Sequence, residues 1–351
     1  MMSGRSSTDL ESRGGGVGGD GMFWDVNTKL KVIAAGRRGW FTRADALVAG
    51  YSDNELRRRL RSGQWLRMSR DAYVEHGAWP ADEPPWERAA RLHLLTLRIA
   101  SERLGDVVAS HQSAAVLHGL PIWGLDLSKV HFTRSAGRIR SDRTTVIHRS
   151  RFAPDELSEV DGLRVSSVER AIAESTCAAS YEVGVVLADA ALHDRLTTAD
   201  RLVAIVDRHR RWAGSPAATG AARFAHGSSE SVGESRLRIL MSDHGLPVPR
   251  LQVEIRDDSG ELIGRVDFLL GEELVVEFDG ALKYGANADS ILAEKRREDR
   301  LRSRGYRVAR VSWADLDHPA ATAARLHRAL RGQAIATTDR KFLVRGPYKV
   351  S

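Results

Sequence analysis

The stretch Gly264–Gly280, GRVDFLLGEELVVEFDG, decides the fold of the C-terminal part of the chain. Two apolar, β-rich runs flank Gly271, Glu272 and Glu273, a pattern that predicts a β-hairpin. With the turn centred on Glu272, side-chain alternation places six apolar residues on one face: Val266, Phe268, Leu270, Leu274, Val276 and Phe278. Because that face is wholly apolar, we expect it to pack into a core.

The other face of this hairpin is acidic. The same register places Asp267 opposite Glu277, with Asp279 beside them. Like charges directly opposed across two strands are destabilising, whereas gathered carboxylate oxygens are what Mg²⁺ prefers. A bound Mg²⁺ activates water and neutralises charge on a phosphate. The pattern therefore favours a Mg²⁺ site at Asp267 and Glu277, and the alternative is an exposed strand face in a shifted register.

The hairpin and its surroundings resemble a nuclease family. An Asp followed by a turn and Glu-x-Lys is typical of PD-(D/E)XK nucleases, although Asp279 stands here at the Lys position. The wider segment, from ESRLRILMSDHGLPVPRLQVEI to EKRREDRLRSRGYRVARVSW, resembles uncharacterised domains related to very-short-patch-repair endonucleases. This resemblance implies a restriction-endonuclease-like α/β domain over residues 230–334, with Glu234 as the accessory acid and Asp267 and Glu277 as metal ligands.

The missing motif lysine leaves two candidates for its role, Lys283 and Lys295. In the run AEKRREDRLRSRG, Lys295 and Asp299 have the i,i+4 spacing of a helix-surface pair. One interpretation is a solvated charged face. The other is that Lys295, Arg297 and Asp299 border the acidic site and contact DNA phosphate.

Residues 22–80 carry a different pattern, of three short helices and a hairpin. Helices are predicted at Lys29–Ala35, from Thr42 through Val48, and at Asp53–Ser62, the last opened by the capping box SDNE. The following run, QWLRMSRDAYVEHG, alternates apolar and polar residues around SRD, as a hairpin wing does. The pattern predicts a winged helix-turn-helix, a geometry that places a helix in the major groove.

Arginines of this segment are candidate DNA contacts. Leu56 and Leu60 turn one face of the third helix to a core. This leaves a set of arginines for phosphates and base edges: Arg57, Arg58 and Arg61, with Arg43, Arg67 and Arg70 around them. Between Met22 and Pro80 there are 11 Lys/Arg and 6 Asp/Glu, against 17 and 18 between Gly227 and Gln333. The excess favours nucleic acid as a partner over a merely solvated basic face.

The run WFTRADALVAGYSDNELRRRLRSGQWLRMSRDAYV resembles the N-terminal domain of AbiEi-type antitoxins of type IV toxin–antitoxin systems. The resemblance implies a winged helix that binds operator DNA, with a cognate toxin or the operator of a toxin gene as partner. A winged helix used only for protein contacts is the alternative.

Residues 81–216 alternate helices and strands, and this mixed middle domain resembles the segment after the winged helix in AbiEi-like proteins. In SHQSAAVLHGLPIWGL, His111 and His118 share a helix face and suggest a metal. Since acidic or thiol partners are missing nearby in the sequence, packing in a core is the favoured interpretation. Residues 217–229 are small and polar and are predicted to be a linker.

Bulk properties complete the prediction of an α+β, multidomain protein. Its 351 residues suit two or three domains. The Gly/Ser-rich residues 1–21 are predicted to be a flexible leader, and residues 335–351 a basic tail. No run suits a membrane span, the single Cys177 suits a reducing cytoplasm, and no small-molecule cofactor is expected.

Two functions follow from these patterns. The preferred one is Mg²⁺-dependent hydrolysis of DNA phosphodiesters, with the N-terminal module delivering the chain to DNA. The competing one is a transcriptional regulator or antitoxin whose nuclease fold is inactive. The opposed Asp267 and Glu277 favour the enzyme, and Asp279 in place of lysine favours the regulator.

Overall fold

The computed structural model describes residues 27–76, 79–80, 82–137, 139–280 and 288–332. The predicted leader (1–21), the predicted basic tail (335–351) and Lys283 lie outside the described residues. The chain divides into two compact units, Met1–Gly77 and Ala78–Ser351. Helices and sheets occur together in the larger unit, so the broad α+β expectation is confirmed.

The first unit contains three helices and one hairpin: α1 (Thr28–Gly36), α2 (Arg43–Val48), α3 (Asp53–Arg61), β1 (Trp65–Ser69) and β2 (Ala72–Glu75). Thr42 and Ser52 form capping boxes with Asp45 and Glu55, which fix where α2 and α3 begin. The helices and the wing-like hairpin predicted from the sequence are confirmed, with helix ends differing by no more than a residue.

An aromatic cluster holds this small unit together. The Trp65 ring packs edge-on against Phe41, with ring centroids 4.7 Å apart, and against Tyr51, with centroids 4.9 Å apart. Leu30 of α1 and Leu56 of α3 are buried in the same cluster. The apolar side of α3 is therefore turned inward, which leaves its other sides to solvent.

The larger unit begins with a long helix and a five-stranded sheet: α4 (Pro85–Leu104), β3 (Val108–Ala109), α5 (His111–Leu117), β4 (Val130–Arg134), β5 (Thr145–Arg149), β6 (Leu157–Val160) and β7 (Leu163–Ser166). The strand order is β5-β4-β3-β7-β6. Strand β4 runs parallel to β5 and antiparallel to β3. This sheet therefore combines parallel and antiparallel strands, and helices and strands alternate along this part of the chain as predicted.

Four helices follow the sheet: α6 (Val168–Ala178), α7 (Tyr181–His193), α8 (Ala199–Arg208) and α9 (Ser215–Phe224). Helix α9 covers much of the predicted linker 217–229, so the linker prediction is wrong there. Its alanines Ala218, Ala221 and Ala222 are buried. The small residues that made this stretch resemble a linker instead permit close helix packing, because a Cβ added at Gly184 of α7 would lie 2.9 Å from Ala221 Cβ.

The C-terminal part of the larger unit has a second sheet: α10 (Val232–Asp243), β8 (Arg250–Arg256), β9 (Leu262–Leu270), β10 (Leu274–Asp279), α11 (Ala288–Ser303), β11 (Arg307–Ser312), α12 (Trp313–Leu316) and α13 (Pro319–Leu330). The strand order is β11-β10-β9-β8, with β10 antiparallel to β9 and parallel to β11. The predicted hairpin is present as β9 and β10, with α10 and β8 before it and α11 after it.

The hairpin register agrees with the prediction where both strands are paired. Leu274 pairs with Leu270, Val275 with Leu269, and Val276 with Phe268. Phe268, Leu270, Leu274 and Val276 pack in one core cluster as expected. Val266 packs instead with Leu269 and Val275 in a second cluster, which also contains Leu301 of α11. Core residues therefore cover both faces of the hairpin. On the face that packs against α11, the acidic residues lie farther from the turn than Leu269 and Val275.

Buried polar contacts join the middle and C-terminal parts within the larger unit. Arg238 of α10 donates two hydrogen bonds of 2.7 Å to the carboxylate of Asp189 in α7. Ser235 donates a third bond to Asp189, at 2.8 Å. Asp189 is fully buried. Because a buried charge is costly unless it is paired, these bonds tie α7 and α10 together.

Candidate DNA-binding surface and acidic site

Helix α3 presents an arginine-rich surface. Arg57, Arg58 and Arg61 are exposed, while Leu56 is buried. Arg57 donates to the Asn54 side chain at 3.2 Å, and Arg58 lies 4.0 Å from Glu55, so both remain on the surface of the helix. Because surface ion pairs contribute little free energy, an exposed arginine can exchange such a contact for a DNA phosphate at a small cost in free energy.

Arg59, which was not among the predicted contacts, has a structural role. Its guanidinium carbon lies 4.9 Å from the Tyr51 ring centroid and 5.5 Å from that of Trp65. Its Nη1 donates to Gln64 at 3.2 Å. Cation–π contacts of this kind hold α3 against the start of the hairpin.

Arg43 and Asp71 fix the parts of the unit relative to each other. Arg43 makes a two-pronged ion pair with Asp53, at 2.8 and 2.7 Å, which joins α2 to the first turn of α3. The backbone N–H of Arg43 donates to Asp71 in the hairpin turn at 3.0 Å. Asp71 has φ of 65°. The exposed Arg67 and Arg70 thus lie on a hairpin anchored to α2, whereas the Arg43 guanidinium is already paired.

The carboxylate of Asp267 lies beside the end of the hairpin. Its Oδ2 accepts a hydrogen bond of 2.8 Å from the backbone N–H of Phe278. Burial raises the pKa of Asp267; this N–H acts in the opposite direction, and the nearby charges of Glu234 and Glu230 add to the rise. The carboxylate is therefore held in an environment that opposes its charge.

Glu277 is engaged by arginines of the neighbouring elements. Its Oε1 lies 2.5 Å from Arg297 Nη2 of α11, and its Oε2 lies 4.0 Å from Arg310 of β11. The same two arginines contact Glu294, at 2.9 and 2.6 Å. Burial raises the pKa of Glu277, although Arg297 opposes the rise. Arg297 thus does border the acidic site, where it partly neutralises one of the two predicted ligands.

Glu234, the predicted accessory acid, is nearly buried at the start of α10, at 7% exposure. It accepts hydrogen bonds from Ser231 Oγ at 2.8 Å, from the Glu230 N–H at 3.1 Å and from Gln252 Nε2 at 2.9 Å. These bonds give Glu234 a helix-capping role as well as its place beside Asp267.

The remaining predicted residues lie around this site. Asp279 is exposed at the end of β10, and Lys295 is exposed on α11. Asp299 is also exposed, which agrees with a charged helix face. Lys283 falls outside the described residues. Glu234 lies near Asp267, and Arg297 lies near both Asp267 and Glu277. The carboxylate oxygens of Glu234, Asp267 and Glu277 do not all lie within 4.8 Å of one another.

The histidines of the middle region form a cluster that the sequence did not indicate. His118 Nε2 donates a hydrogen bond of 2.8 Å to the Ser166 carbonyl oxygen, and so packs as predicted. His111 instead lies beside His131 and His148, and each offers a ligand atom within 4.8 Å of the others. Across the described residues, this is the only group of three or more His, Cys, Asp or Glu that meets that distance. His131 and His148 lie on β4 and β5, and the pairing of these strands was not predicted from the sequence.

Comparison with known proteins finds a family that is similar to the first unit. Residues 30–76 match the family described as "Transcriptional regulator, AbiEi antitoxin". The first unit is therefore similar to an AbiEi antitoxin domain. The match runs from within α1 to the end of the hairpin, so it coincides with the arginine-bearing unit.

Two relatives extend beyond the AbiEi domain. Both are uncharacterised proteins of Mycobacterium tuberculosis, from strains CDC 1551 / Oshkosh and H37Rv. Each is 28% identical to this chain over 259 residues, which cover 73% of this chain and 91% of the relative. The similarity therefore extends well into the larger unit, although the names of these relatives assign no activity.

Membrane insertion is not indicated by the helices. Over the part of the chain that the structure describes, no helix combines the length and the apolar character needed to cross a bilayer.

Proposed function

We propose that this chain is a DNA-binding transcriptional regulator of the AbiEi antitoxin type, which binds operator DNA through α3 and the β1–β2 hairpin. The observation that carries the proposal is the AbiEi antitoxin match over residues 30–76, on the same unit that exposes Arg57, Arg58 and Arg61. A toxin encoded beside the regulated operator is the partner that this class of regulator implies.

In the proposed complex, the helix α3 and the hairpin make different kinds of contact with DNA. Arg57, Arg58 and Arg61 occupy the exposed sides of α3, where a helix laid in the major groove reaches bases and phosphates. Arg67 and Arg70 lie on the hairpin, next to the turn held by Asp71. Since phosphate contacts supply affinity and base contacts supply sequence preference, we assign affinity mainly to the hairpin and selectivity mainly to α3.

The test is the salt dependence of DNA binding. We expect the variant Arg57→Ala/Arg58→Ala/Arg61→Ala to bind duplex DNA more weakly. For every phosphate that the variant no longer neutralises, the slope of log K against log salt should fall by about 0.9. Fluorescence anisotropy with the DNA upstream of the gene, at several salt concentrations, measures both quantities.

A matched variant controls for net charge. Arg211, Arg223 and Arg328 are exposed arginines of the larger unit, so Arg211→Ala/Arg223→Ala/Arg328→Ala removes the same charge from elsewhere. We expect this control to keep the wild-type slope. If the folded α3 variant keeps both the wild-type slope and the wild-type affinity for the upstream DNA, α3 does not contact DNA, and the winged helix serves protein contacts instead.

A second candidate function is DNA cleavage at the acidic site. It is favoured by two partly buried carboxylates, Asp267 and Glu277, whose pKa values are both raised by burial, since such environments occur often at catalytic sites. Carboxylate oxygens suit Mg²⁺, and Asp267 and Glu277 would hold it. Bound Mg²⁺ would supply charge neutralisation at a scissile phosphate. Arg297 already pairs with Glu277, so ion binding there requires that pair to open.

A nicking assay separates the two functions. If the site cleaves DNA, supercoiled plasmid should be nicked with Mg²⁺ or Mn²⁺, and Asp267→Ala and Glu277→Ala should each abolish nicking. Nicking that persists in both variants would exclude this site. A wild-type chain that binds its operator yet leaves plasmid intact with either metal is a regulator alone.

A further inference from the structure

Three histidine side chains meet on one face of the five-stranded sheet. His131 Nδ1 lies 3.0 Å from His148 Nε2. The rings of His111 and His148 stack with centroids 3.8 Å apart, at an angle of 16°. One ligand atom of each residue lies within 4.8 Å of the others, and all three residues are partly buried rather than enclosed. The cluster is thus both assembled and reachable from solvent.

Sheet register explains why these histidines meet. Strands β4 and β5 are parallel, with His131 paired to Val146 and Thr133 paired to His148. Because alternate residues share a face, His131 and His148 project from the same side of neighbouring strands. His111 follows β3, the neighbour of β4, and opens α5 with φ of 53°. A histidine in the left-handed region costs energy, and such strain is concentrated at functional sites.

The side chains around His111 resemble those that hold a metal-binding histidine in place. Its Nδ1 lies 3.1 Å from Ser110 Oγ and 3.6 Å from Glu174 Oε2. The Glu174 carboxylate also accepts a bond from the His111 backbone N–H at 3.0 Å. Metal-bound histidines usually turn their second ring nitrogen to a carboxylate or similar acceptor. Ser110 Oγ and, farther away, the Glu174 carboxylate therefore face Nδ1, which leaves Nε2 for a ligand bond.

Charge near the cluster does not exclude a cation. The positive charge of Arg170 lies close enough to His111 to repel a positive charge there. That charge is offset by two carboxylates, because Arg170 contacts Glu156 at 2.5 Å and Glu174 at 2.8 Å.

We propose that His111, His131 and His148 bind one divalent transition-metal ion of the zinc class. Imidazole nitrogens are preferred by zinc, copper and nickel over the hard ions Mg²⁺ and Ca²⁺. Zinc–nitrogen bonds of about 2.0–2.1 Å at a tetrahedral angle place ligand nitrogens roughly 3.4 Å apart. The 3.0 Å separation of His131 and His148 is close to that spacing, and the fourth position is left for water or another small ligand.

The site would join three elements of the larger unit. His131 and His148 come from adjacent strands, and His111 comes from the first residue of α5. An ion bound only in the folded state stabilises that state by mass action. The larger unit should therefore gain stability from zinc, independently of DNA binding by the other unit and of Mg²⁺ at the acidic site.

Cobalt and zinc titrations test the site. Full-length chain without a polyhistidine tag is stripped with chelator and titrated with Co²⁺, followed by visible absorption. We expect one equivalent of Co²⁺ per chain to give a tetrahedral spectrum that Zn²⁺ abolishes. Zn²⁺ should raise the melting temperature, whereas Mg²⁺ should leave the cobalt spectrum unchanged. Glu174→Gln should weaken binding about 10–100-fold, as expected when a supporting carboxylate is removed.

Histidine variants identify the ligands. His131→Gln/His148→Gln should lose the cobalt spectrum and the zinc-induced rise in melting temperature. His118→Gln, which alters a packed histidine outside the cluster, should keep both. Circular dichroism establishes that each variant is folded, and His111→Gln supplies a second variant if the double one is not. A folded wild-type chain without stoichiometric binding, or equal binding by folded His131→Gln/His148→Gln, would overturn the proposal and leave a hydrogen-bonded histidine core.

Discussion

Single carboxylates differ in the sign of their effect on stability. The pKa values of Asp267 and Glu277 are raised by burial, so ionisation near neutral pH opposes folding at both positions. Asp257 behaves in the opposite way. The Ser259 hydroxyl, ahead of the Glu261 N–H and Arg300, lowers the Asp257 pKa to about 2. Its charged form therefore favours the folded state above its ordinary pKa.

Neutral replacements should reveal this difference. At pH 7 we expect Asp267→Asn and Glu277→Gln to melt at the wild-type temperature or higher, because each removes a charge that burial disfavours. Arg297 keeps Glu294 as a partner in the second variant. Asp257→Asn, the matched control of opposite sign, should melt lower. Differential scanning calorimetry measures all three, and a clear drop in melting temperature in both Asp267→Asn and Glu277→Gln would mean that their contacts outweigh their burial.

Glu156 makes a pH-dependent contribution to the stability of the larger unit. Burial acts to raise its pKa, but hydrogen bonds from the Ala153 N–H, His209 and Arg208, together with the Arg170 charge, outweigh burial and lower the pKa to about 2. Since the folded value lies below the ordinary 4.5, its stabilisation is complete above that value. It is lost as the pH falls towards about 2.

We expect Glu156→Gln to destabilise the larger unit by about 3–5 kcal/mol at pH 7, as removal of one partner of a buried ion pair does. The variant should also lose less stability than wild type between pH 4.5 and 2. Urea unfolding at a series of pH values tests this. Glu159→Gln, at an exposed position of β6, should stay within about 0.5 kcal/mol of wild type. Parallel acid curves for wild type and Glu156→Gln would contradict the assignment.

Contacts between single residues were predictable only where they are local. The hairpin register followed from alternation around one short turn, and the structure confirms it for Leu274, Val275 and Val276. The pairing of Glu277 with Arg297 was not predictable, although Arg297 was expected near the acidic site. Glu277 and Arg297 are separated by 20 positions, and their contact depends on how α11 packs over the sheet. Such packing leaves no pattern near either residue.

At the scale of elements, helices marked by a local sequence pattern were predicted, and the helix that depends on long-range packing was missed. Helices α2 and α3 begin at capping boxes, which are read directly from four consecutive residues. Helix α9 has an N-cap glycine, Gly214, and many small residues, which suggested a linker. Its stability comes from packing against its neighbours. The histidine cluster was missed for a similar reason, because it depends on the pairing of β4 with β5.

The close approach of α7 and α9 gives a prediction at Gly184. A Cβ at Gly184 would lie 2.4 Å from Thr176 Cγ2 and 2.9 Å from Ala221 Cβ. Gly184→Ala should therefore destabilise the larger unit by about 1–3 kcal/mol through overpacking, although alanine favours helices. Gly36→Ala, at the open end of α1, should instead be neutral or stabilising. Chemical denaturation compares them, and a stabilised Gly184→Ala would show that α9 does not pack as described.

On the scale of the whole molecule, the two compact units differ from the predicted division into three folded domains. A boundary after residue 80 was predicted, between residues 22–80 and 81–216, and the two units divide at Gly77–Ala78. The predicted middle and C-terminal domains, 81–216 and 230–334, fall within one unit instead. The buried bonds between Asp189 and Arg238 explain this, because neither residue can be left alone in a core.

This division predicts how the chain behaves when it is cut. The fragment 1–77 contains the residues that match the AbiEi antitoxin family, with their arginines, so under the proposed function it should bind operator DNA with the salt slope of the full chain. A unit this small buries a modest apolar core, and it should melt below the fragment 78–351. The larger fragment should keep the zinc-induced rise in melting temperature and lose operator binding. Anisotropy and calorimetry on both fragments measure these properties. Operator binding retained by 78–351 and absent from a folded 1–77 would move the DNA-binding surface to the larger unit, whereas its absence from both would mean that each unit requires the other.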